Sequence, residues 1–245
     1  MNVFFISIIS ILIINWLCMA IYCRLQRKID NRKFDKIASS PKGNIEVDSN
    51  EGEKKDSVVK RIYQWLNSYL YGWVRYNILL TGHLPSYRVR KLFYWAIFGM
   101  KLTRKTVIFG GCEFRSPWNI SLGNCTIGAN CILDGRGRIT VEDDVVFGSG
   151  VHVWTMQHSI NDPYFRTLDE NIRPVVIQRH AWIASDSMIQ PGINMGEGVV
   201  LASRAVAVKD CAPFGVYAGV PAVRISERNH DLRYKLDGKV SWHFM

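Results

Sequence analysis

Residues 175–208 read VVIQRHAWIASDSMIQPGINMGEGVVLASRAVAV, and an apolar side chain recurs in them at every sixth position. The recurring residues, called rungs below, are Ile177, Ile183, Ile189, Met195, Leu201 and Ala207. Two positions before each rung lies a second series of small or aliphatic residues, namely Val175, Ala181, Ser187, Ile193, Val199 and Ala205. A period of six fits neither an α-helix nor the two-residue alternation of an amphipathic strand. It is typical of a parallel β-helix whose coils have three flat sides, each made by one hexapeptide.

The same period continues toward the N-terminus with two irregular steps. Earlier rungs are Ile127, Leu133, Val141, Phe147 and Val153. The step from Leu133 to Val141 spans eight residues, so residues 134–138 are expected to bulge outward. The step from Leu122 to Ile127 spans only five residues, which leaves the first coil undefined.

The composition is that of a folded protein with a basic surplus. The 245 residues include 31 Lys and Arg against 21 Asp and Glu, a formal charge of +10. Such a surplus favours anionic partners. Much of it follows an apolar N-terminal segment, where anionic lipid accounts for it, so nucleic acid is not an expected partner. The six cysteines form no CxxC pair and no zinc-binding spacing, so free thiols are expected and no metal site is predicted.

The N-terminal segment predicts a membrane anchor. Residues 3–22 contain no charged side chain, and a helix of that length matches a hydrocarbon core about 30 Å thick. No Lys or Arg precedes the run, which argues against a cleavable signal peptide. Cations recur from Arg24 to Lys36. Because positive charge accumulates on the cytoplasmic side, the body of the chain is expected in the cytoplasm, held by this single helix.

Composition and periodicity divide the chain into five parts. They are residues 1–23 (transmembrane anchor), 24–57 (basic juxtamembrane segment and flexible linker), 58–104 (helical region), 105–228 (β-helix) and 229–245 (C-terminal tail). The linker is polar and nearly free of large apolar groups. The helical region contains one helix over about 58–82 and a second over about 87–100, introduced by Pro85 and Ser86. This aromatic and basic region is expected either on a membrane surface or packed against the main domain or a neighbouring subunit.

Two segments resemble the hexapeptide-repeat acyltransferases, most closely the sugar O-acetyltransferases of capsule and exopolysaccharide synthesis. They are GEGVVLASRAVAVKD at 196–210 and FGVYAGVPAVRISER at 214–228, of which the AGVPA exit is the most specific. The resemblance covers roughly residues 107–228. It implies a mainly β chain with a left-handed parallel β-helix, acetyl-CoA as donor, and a homotrimer with active sites between subunits.

A loop that interrupts the repeat carries the candidate catalytic residue. The six-residue period is lost over residues 154–173, WTMQHSINDPYFRTLDENIR, and grafted active sites commonly occupy such external loops. An imidazole, with an ordinary pKa of about 6.5, suits the removal of a proton from an attacking hydroxyl. The resemblance matches His158 to the catalytic base of the family. Relatives often place an acid directly after that residue, where this chain has Ser159, so Asp162 is the candidate that orients the imidazole.

The donor site is placed through the resemblance alone. In the family, acetyl-CoA lies in the groove between two neighbouring β-helices. The matching residues are Trp182, Ser185, Ser203, Arg204, Val208 and Lys209. The N–H of Ser185 is the expected oxyanion donor, and Arg204 and Lys209 are expected at the CoA phosphates. Relatives have Gly where this chain has Ala202 and Arg204, and Thr in place of Val208, so a reshaped donor site is expected.

The acceptor site is predicted as a sugar pocket around the same loop. Asn130 and Asp134 resemble sugar-contacting positions of relatives. Trp154 and Gln157 lie close to His158 in sequence, and an aromatic ring suits the face of a sugar. A membrane anchor favours a lipid-linked or membrane-assembled glycan as acceptor, because tethering raises its local concentration.

Three alternative functions remain open from the sequence. The acceptor is serine or another small hydroxyl compound in the first, and the chain is a non-catalytic membrane-tethered scaffold in the second. The third is a carbonic anhydrase on the same scaffold, with zinc held by His152, His158 and His180. The AGVPA exit argues against the third.

Overall fold

The rungs form the interior of a parallel β-helix, as the period predicts. In this computed structural model, which describes residues 2–39, 57–168 and 171–240, every rung from Ile127 to Leu201 is almost wholly buried. Rungs stack between coils, since Ile183 pairs with Phe147 on one side and with Leu201 on the other. The narrow interior therefore selects branched or medium-sized apolar side chains at one position in six.

The strands lie in three sheets, one for each side of the coil. The first sheet contains β1 (Lys101–Leu102), β4 (Ile120–Leu122), β7 (Ile139–Val141), β10 (Val175–Ile177) and β13 (Asn194–Met195). The second contains β2 (Val107–Ile108), β5 (Thr126–Ile127), β8 (Val146–Phe147), β11 (Trp182–Ile183), β14 (Val200–Leu201), β16 (Gly215–Ala218) and β17 (Val223–Glu227). The third contains β3 (Glu113–Arg115), β6 (Ile132–Asp134), β9 (His152–Val153), β12 (Met188–Ile189) and β15 (Val206–Ala207). All neighbouring strands are parallel except β16 and β17, which pair antiparallel around the AGVPA exit.

The eight-residue step after Leu133 does not bulge outward, so that prediction is wrong. Its residues form a short 3₁₀ turn, Gly135–Gly137, in which both glycines are buried. The N–H of Gly137 donates to the hydroxyl of Thr155 at 2.7 Å, and this hydroxyl donates to the carbonyl of Asp134 at 2.5 Å. A Cβ at Gly137 would lie 2.6 Å from the carbonyl oxygen of Thr155, so the close packing requires glycine there. The first coil, undefined in the sequence, is formed by β1, β2 and β3.

Three helices precede the β-helix: α1 (Asn2–Ser39), α2 (Val58–Gly82) and α3 (Tyr87–Ala96). The second predicted helix extends to Met100, whereas α3 ends at Ala96. Gly99 adopts a φ of +72° there, and the chain turns into β1, which lies inside the predicted helical region. Most of the predicted linker, residues 40–56, lies outside the described residues.

Helix α1 continues through the basic segment without a break at residue 23. By length and composition alone, its stretch Ile9–Ile37 is apolar enough to cross a membrane. Its middle and second half also pack on the protein. Trp16 meets Phe93 edge to face at 4.6 Å between ring centroids, and Asp30 accepts a hydrogen bond of 2.7 Å from the indole of Trp118. The apolar first half of α1 and the β-helix are thus joined by direct contacts of one continuous helix.

The C-terminal tail runs back along the corner between the first and second sheets. Arg228 and the hydroxyl of Tyr234 both donate to the carbonyl of His180, at 2.8 and 3.0 Å. The N–H of Leu236 donates to Asp144 at 2.7 Å. The described part of the tail therefore ties several coils together.

Candidate active site

The described residues of the loop, 154–168 and 171–173, leave the corner between the third and first sheets and fold as a hairpin. Met156 and Ile172 form an antiparallel bridge. The N–H of Arg173 donates to the carbonyl of Thr155 at 2.9 Å, and the N–H of Ser159 donates to that of Arg166, also at 2.9 Å. Backbone pairing thus orders the described part of this segment, although it lacks the six-residue period.

A tight turn, Asp162-Pro163-Tyr164-Phe165, closes the hairpin. The N–H of Phe165 donates to the carbonyl of Asp162 at 2.9 Å, and proline occupies the second position, as β-turns favour. Phe165 adopts a φ of +51°, in the left-handed region. This conformation directs its carbonyl group back toward His158.

The imidazole of His158 is held by Phe165 in two ways. Its Nδ1 lies 2.8 Å from the carbonyl oxygen of Phe165, and its ring stacks on the phenyl ring at 4.4 Å with an interplanar angle of 7°. Because a carbonyl oxygen only accepts hydrogen bonds, a neutral His158 in this position carries its proton on Nδ1. The Nε2 atom is then the unprotonated nitrogen, on an exposed side chain. The arrangement suits a base that removes a proton from a molecule arriving from solvent.

Asp162 does not orient His158, so that prediction is wrong. Both carboxylate oxygens of Asp162 accept from the guanidinium of Arg166, each at 2.9 Å. These side-chain hydrogen bonds, with a backbone one from Arg166, lower the pKa of the Asp162 carboxyl to about 2. The orienting group is the main-chain carbonyl of Phe165, which sequence analysis missed. The Asp162-Pro163 pair signalled a turn in the sequence. No residue type could identify this carbonyl, because every residue has one.

Trp154 lies on the outer face of the third sheet at the start of the loop. Its ring meets His152 edge to face at 5.9 Å, and the guanidinium of Arg115 lies over it at 5.0 Å. Gln157 is exposed directly before His158, with its N–H 3.3 Å from the carbonyl of Asn171. Both predicted acceptor residues thus lie on the loop or at its base.

The other two predicted acceptor residues lie elsewhere. Asn130 and Asp134 flank or end β6, at opposite corners of the coil. The carboxylate of Asp134 is fully buried and paired with Arg136 at 2.7 Å, so it is not available to a sugar in this structure. Asn130 is exposed at the corner between the second and third sheets, far along the coil from the loop.

The predicted donor residues gather at that same corner, two and three coils further on. One left-handed residue recurs there in each coil: Gly111, Asn130, Gly150, Asp186 and Arg204. Ser185 and Ser203 each precede one of them, and the N–H of Arg204 donates to the carbonyl of Ser185 at 3.1 Å. Within the described residues, the N–H of Ser185 itself has no acceptor, which leaves it available to an oxyanion.

The remaining donor candidates lie on either side of this corner: Trp182 precedes it on β11, whereas Val208 and Lys209 come after β15, at the end of the third sheet from which the loop also leaves. Trp182 projects from the outer face of the second sheet and is 47% exposed. Val208 and Lys209 follow β15 on the third sheet and are exposed. Within one chain, His158 and the donor corner therefore lie at opposite ends of the strands of the third sheet.

The three histidines of the carbonic anhydrase alternative do not converge in this chain. His152 lies on the third sheet, His158 in the loop, and His180 under the tail, where it contacts the carbonyl of Tyr234 at 3.2 Å. In the described part of the chain, no three His, Cys, Asp or Glu side chains are grouped to hold a metal ion.

Comparison with known proteins gives relatives for most of the chain. It is 27% identical over 173 residues to the putative colanic acid biosynthesis acetyltransferase WcaF of Escherichia coli (strain K12), covering 70% of this chain and 84% of that protein. No protein-family model matches.

Solved structures share the fold. A hexapeptide-repeat containing acetyltransferase of Vibrio cholerae, solved with acetyl-CoA, matches with a TM-score of 0.60 and 21% identity, over 67% of this chain and 90% of that one. A maltose O-acetyltransferase of Clostridium difficile 630 matches with a TM-score of 0.55 and 23% identity, over 65% and 87% of the two chains. The relatives are named acetyltransferases, and the structures share the parallel β-helix.

Proposed function

We propose that this chain, which belongs to the hexapeptide-repeat acetyltransferase family, transfers an acetyl group from acetyl-CoA to a hydroxyl group of a saccharide. The observation that carries the proposal is the geometry of His158. An exposed imidazole, fixed by stacking and by a hydrogen bond at Nδ1, presents a basic Nε2 from an ordered loop.

In the proposed reaction, Nε2 of His158 takes the proton of the acceptor hydroxyl as its oxygen attacks the thioester carbonyl. The new C–O bond produces a tetrahedral intermediate, whose oxyanion the N–H of Ser185 stabilises. The C–S bond then breaks, and the imidazolium returns the proton to the departing CoA thiolate. No acyl-enzyme is needed.

The donor is proposed from the relatives and from the donor corner. One fold relative was solved with acetyl-CoA. The exposed Arg204 follows Ser203 at this corner and supplies a cation for the CoA phosphates, and the exposed Lys209 after β15 supplies a second.

The acceptor is proposed to be a glycan assembled at the membrane. The sequence relative WcaF is named for colanic acid biosynthesis, and a fold relative is named a maltose O-acetyltransferase. Helix α1 supplies the tether, with the β-helix on the cytoplasmic side.

The site is proposed to form between copies of the chain. His158 and the donor corner lie at opposite ends of the strands of the third sheet, so one chain alone does not bring them together. A ring of identical chains, such as the expected homotrimer, places the loop of one copy at the donor corner of the next.

The test is a CoA-release assay with purified protein, acetyl-CoA, and free or lipid-linked saccharides. We expect His158→Ala to lower kcat by about 10²- to 10⁴-fold. His230→Ala, at another exposed histidine, paired instead with Glu227 at 2.6 Å, is the control and keeps full activity. The glycan assignment fails if no saccharide accelerates CoA release, and the role of His158 fails if both variants remain active.

A further inference from the structure

Helices α1 and α2 lie side by side and run antiparallel. The indole of Trp73 donates to Asn15 at 2.9 Å at one end of the pair. Further along, Asn67 accepts from the hydroxyl of Tyr22 at 3.1 Å and from Gln26 at 2.6 Å. The two helices are therefore joined by specific polar contacts, and their separation is fixed over several turns.

A long groove follows this pair on its outer side, called the α1–α2 groove below. It consists of two adjoining cavities of about 580 and 400 Å³, which share Tyr22, Leu25 and Leu70. Its walls are mainly apolar and are formed by Ile21, Leu25 and Ile29 of α1 and Leu66, Tyr69 and Trp73 of α2. These six side chains are 42–63% exposed, which is unusual for so many large apolar groups in one place.

The groove differs in charge between its two ends. At the end nearest Asn15, it adjoins the exposed apolar residues of α1, including Ile13 and Leu17. At the other end it is lined by Lys28 and Arg32, both exposed and without a salt bridge to any described carboxylate. An apolar channel with cations at one end matches an amphiphile with a hydrocarbon chain and an anionic head.

The length of the groove matches that of a lipid, measured from the end of its hydrocarbon chain to its headgroup. The segment from Asn15 to Arg32 corresponds to about 26 Å of helix. One bilayer leaflet with its headgroups is about 20–22 Å thick. Because the apolar end continues into the membrane-spanning candidate, a hydrocarbon chain in the groove remains continuous with the membrane.

The cationic end lies on the same side of the molecule as the catalytic loop. Asn31 of α1 accepts a hydrogen bond of 2.9 Å from Arg138. The carbonyl of Arg138 accepts from Val175, which follows the loop, and the N–H of Gly137 donates to Thr155 at its base. A head group bound at Lys28 and Arg32 thus lies beside the turn of residues 134–138. That turn contacts the base of the loop that carries His158.

We propose that the α1–α2 groove binds the isoprenoid chain and phosphate of a polyprenyl-phosphate-linked saccharide, the acceptor of the acetyl group. The chain lies between the apolar walls, and Lys28 and Arg32 bind the phosphate. The saccharide extends from there toward His158. This inference rests on the proposed function for its acceptor, whereas the binding of polyprenyl phosphate is measured independently of acetyl transfer.

The experiment uses the full-length chain in nanodiscs of zwitterionic phospholipid that contain a polyprenyl phosphate with a photoactivatable diazirine on its chain. Illumination is expected to link the probe to peptides of α1 and α2 that line the groove. Unlabelled polyprenyl phosphate is expected to compete, whereas phosphatidylglycerol at equal concentration is not. Equal competition by phosphatidylglycerol would mean general anionic-lipid contact and overturns the proposal, as do cross-links between two copies through this groove.

Two pairs of variants test the two parts of the groove. Lys28→Gln with Arg32→Gln is expected to weaken polyprenyl phosphate binding roughly tenfold. Its charge-matched control, Arg61→Gln with Arg88→Gln, removes two exposed cations outside the groove. Leu66→Trp narrows the groove and is expected to reduce cross-linking. Ile62→Trp, an exposed helix position outside the lining, is its control.

The same variants separate this inference from the proposed function. Probe binding is measured in the His158→Ala protein as well, where it is expected to be unchanged. Acetylation of a water-soluble saccharide is expected to survive in the groove variants, while acetylation of the polyprenyl-linked form falls. If the groove variants bind the probe normally, the groove assignment is wrong even when acetyl transfer is intact.

Discussion

At the scale of single residues, the decisive feature is a main-chain carbonyl. Phe165 holds His158 through this carbonyl and through its ring, while Asp162, the acid expected to orient the imidazole, is paired with Arg166. A neutral carbonyl fixes the tautomer without placing a charge beside the imidazole. Two predictions follow at this scale, one for the ring and one for the acid.

Removing the phenyl ring tests the stacking contact. Phe165→Ala keeps the carbonyl but loses the ring 4.4 Å from the imidazole. Aromatic pairs contribute about 0.5–1.5 kcal/mol beyond burial, so we expect kcat to fall roughly 2- to 12-fold, with the KM for acetyl-CoA unchanged. Steady-state kinetics measure both constants. Tyr164→Ala, at the neighbouring exposed aromatic residue, is the matched control, and an equal loss there would contradict a specific role for Phe165.

The pH dependence of the loop tests the Asp162–Arg166 pair. Hydrogen bonds from Arg166 lower the pKa of Asp162 to about 2, below its ordinary value of about 3.9. The stabilisation is therefore complete above about pH 4 and is lost as the pH falls through about 2. Carboxyl-carbon NMR titration of Asp162 should give this low value, and Arg166→Gln should return it to the ordinary range. A titration near pH 4 in the unsubstituted protein would contradict the pairing.

At the scale of elements, strands of only two or three residues are stabilised by the stacking of neighbouring coils rather than by their own length. Each inner rung contacts the rungs of the coils above and below, so the loss of one affects neighbouring coils. The only long interruption of the described β-helix is the hairpin proposed to be catalytic. It begins where Thr155 packs against the 3₁₀ turn of the preceding coil. The position of the loop is thus fixed by the corner that precedes it.

Truncation of one rung tests this arrangement. Leu201→Ala removes a side chain that is 0% exposed, and such changes cost about 2–5 kcal/mol. Denaturant unfolding should therefore show a large loss in the free energy of unfolding. Ile225→Ala, at a position of β17 that is 61% exposed, is the control and should change it by less than about 0.5 kcal/mol. Similar losses in both variants would argue against the stacked interior.

At the scale of the whole molecule, the residues of the proposed site lie at opposite ends of the strands of the third sheet. His158 lies at one end, and Ser185, Ser203 and Arg204 lie at the other. Helix α1 connects the membrane-spanning candidate directly to the corner that carries the loop. The proposed membrane-tethered assembly of identical chains is consistent with both observations.

Complementation between inactive variants tests the division of the site. His158→Ala removes the proposed base, and Ser185→Trp blocks the donor corner, so each protein alone is expected to be inactive. Mixed oligomers made by co-expression should recover a measurable part of the activity, because some sites then combine an intact loop with an intact donor corner. CoA release from the purified mixture measures it. If the mixture remains as inactive as its parts, the site lies within one chain.

The sequence by itself predicted the β-helix, a resemblance to the hexapeptide-repeat acyltransferases, and a candidate base. A period of six in apolar residues is a local property of the chain, and only a coil with three sides places every sixth side chain inside. The predicted helix over 58–82 is confirmed for the same reason, since its apolar spacing is also local. The proposed function began from segments that resemble known enzymes, and the role of His158 stays a prediction.

Only the tertiary structure decided which groups meet. Three features depend on backbone positions that side-chain patterns do not encode: the carbonyl that orients His158, the burial of Asp134, and the buried turn at Gly135–Gly137. The distance between His158 and the donor corner depends on which corner of the coil each residue occupies, and irregular steps of five and eight residues obscure that count. The α1–α2 groove likewise arises from the packing of two helices separated by a linker, a contact between distant segments that residue identity alone does not specify.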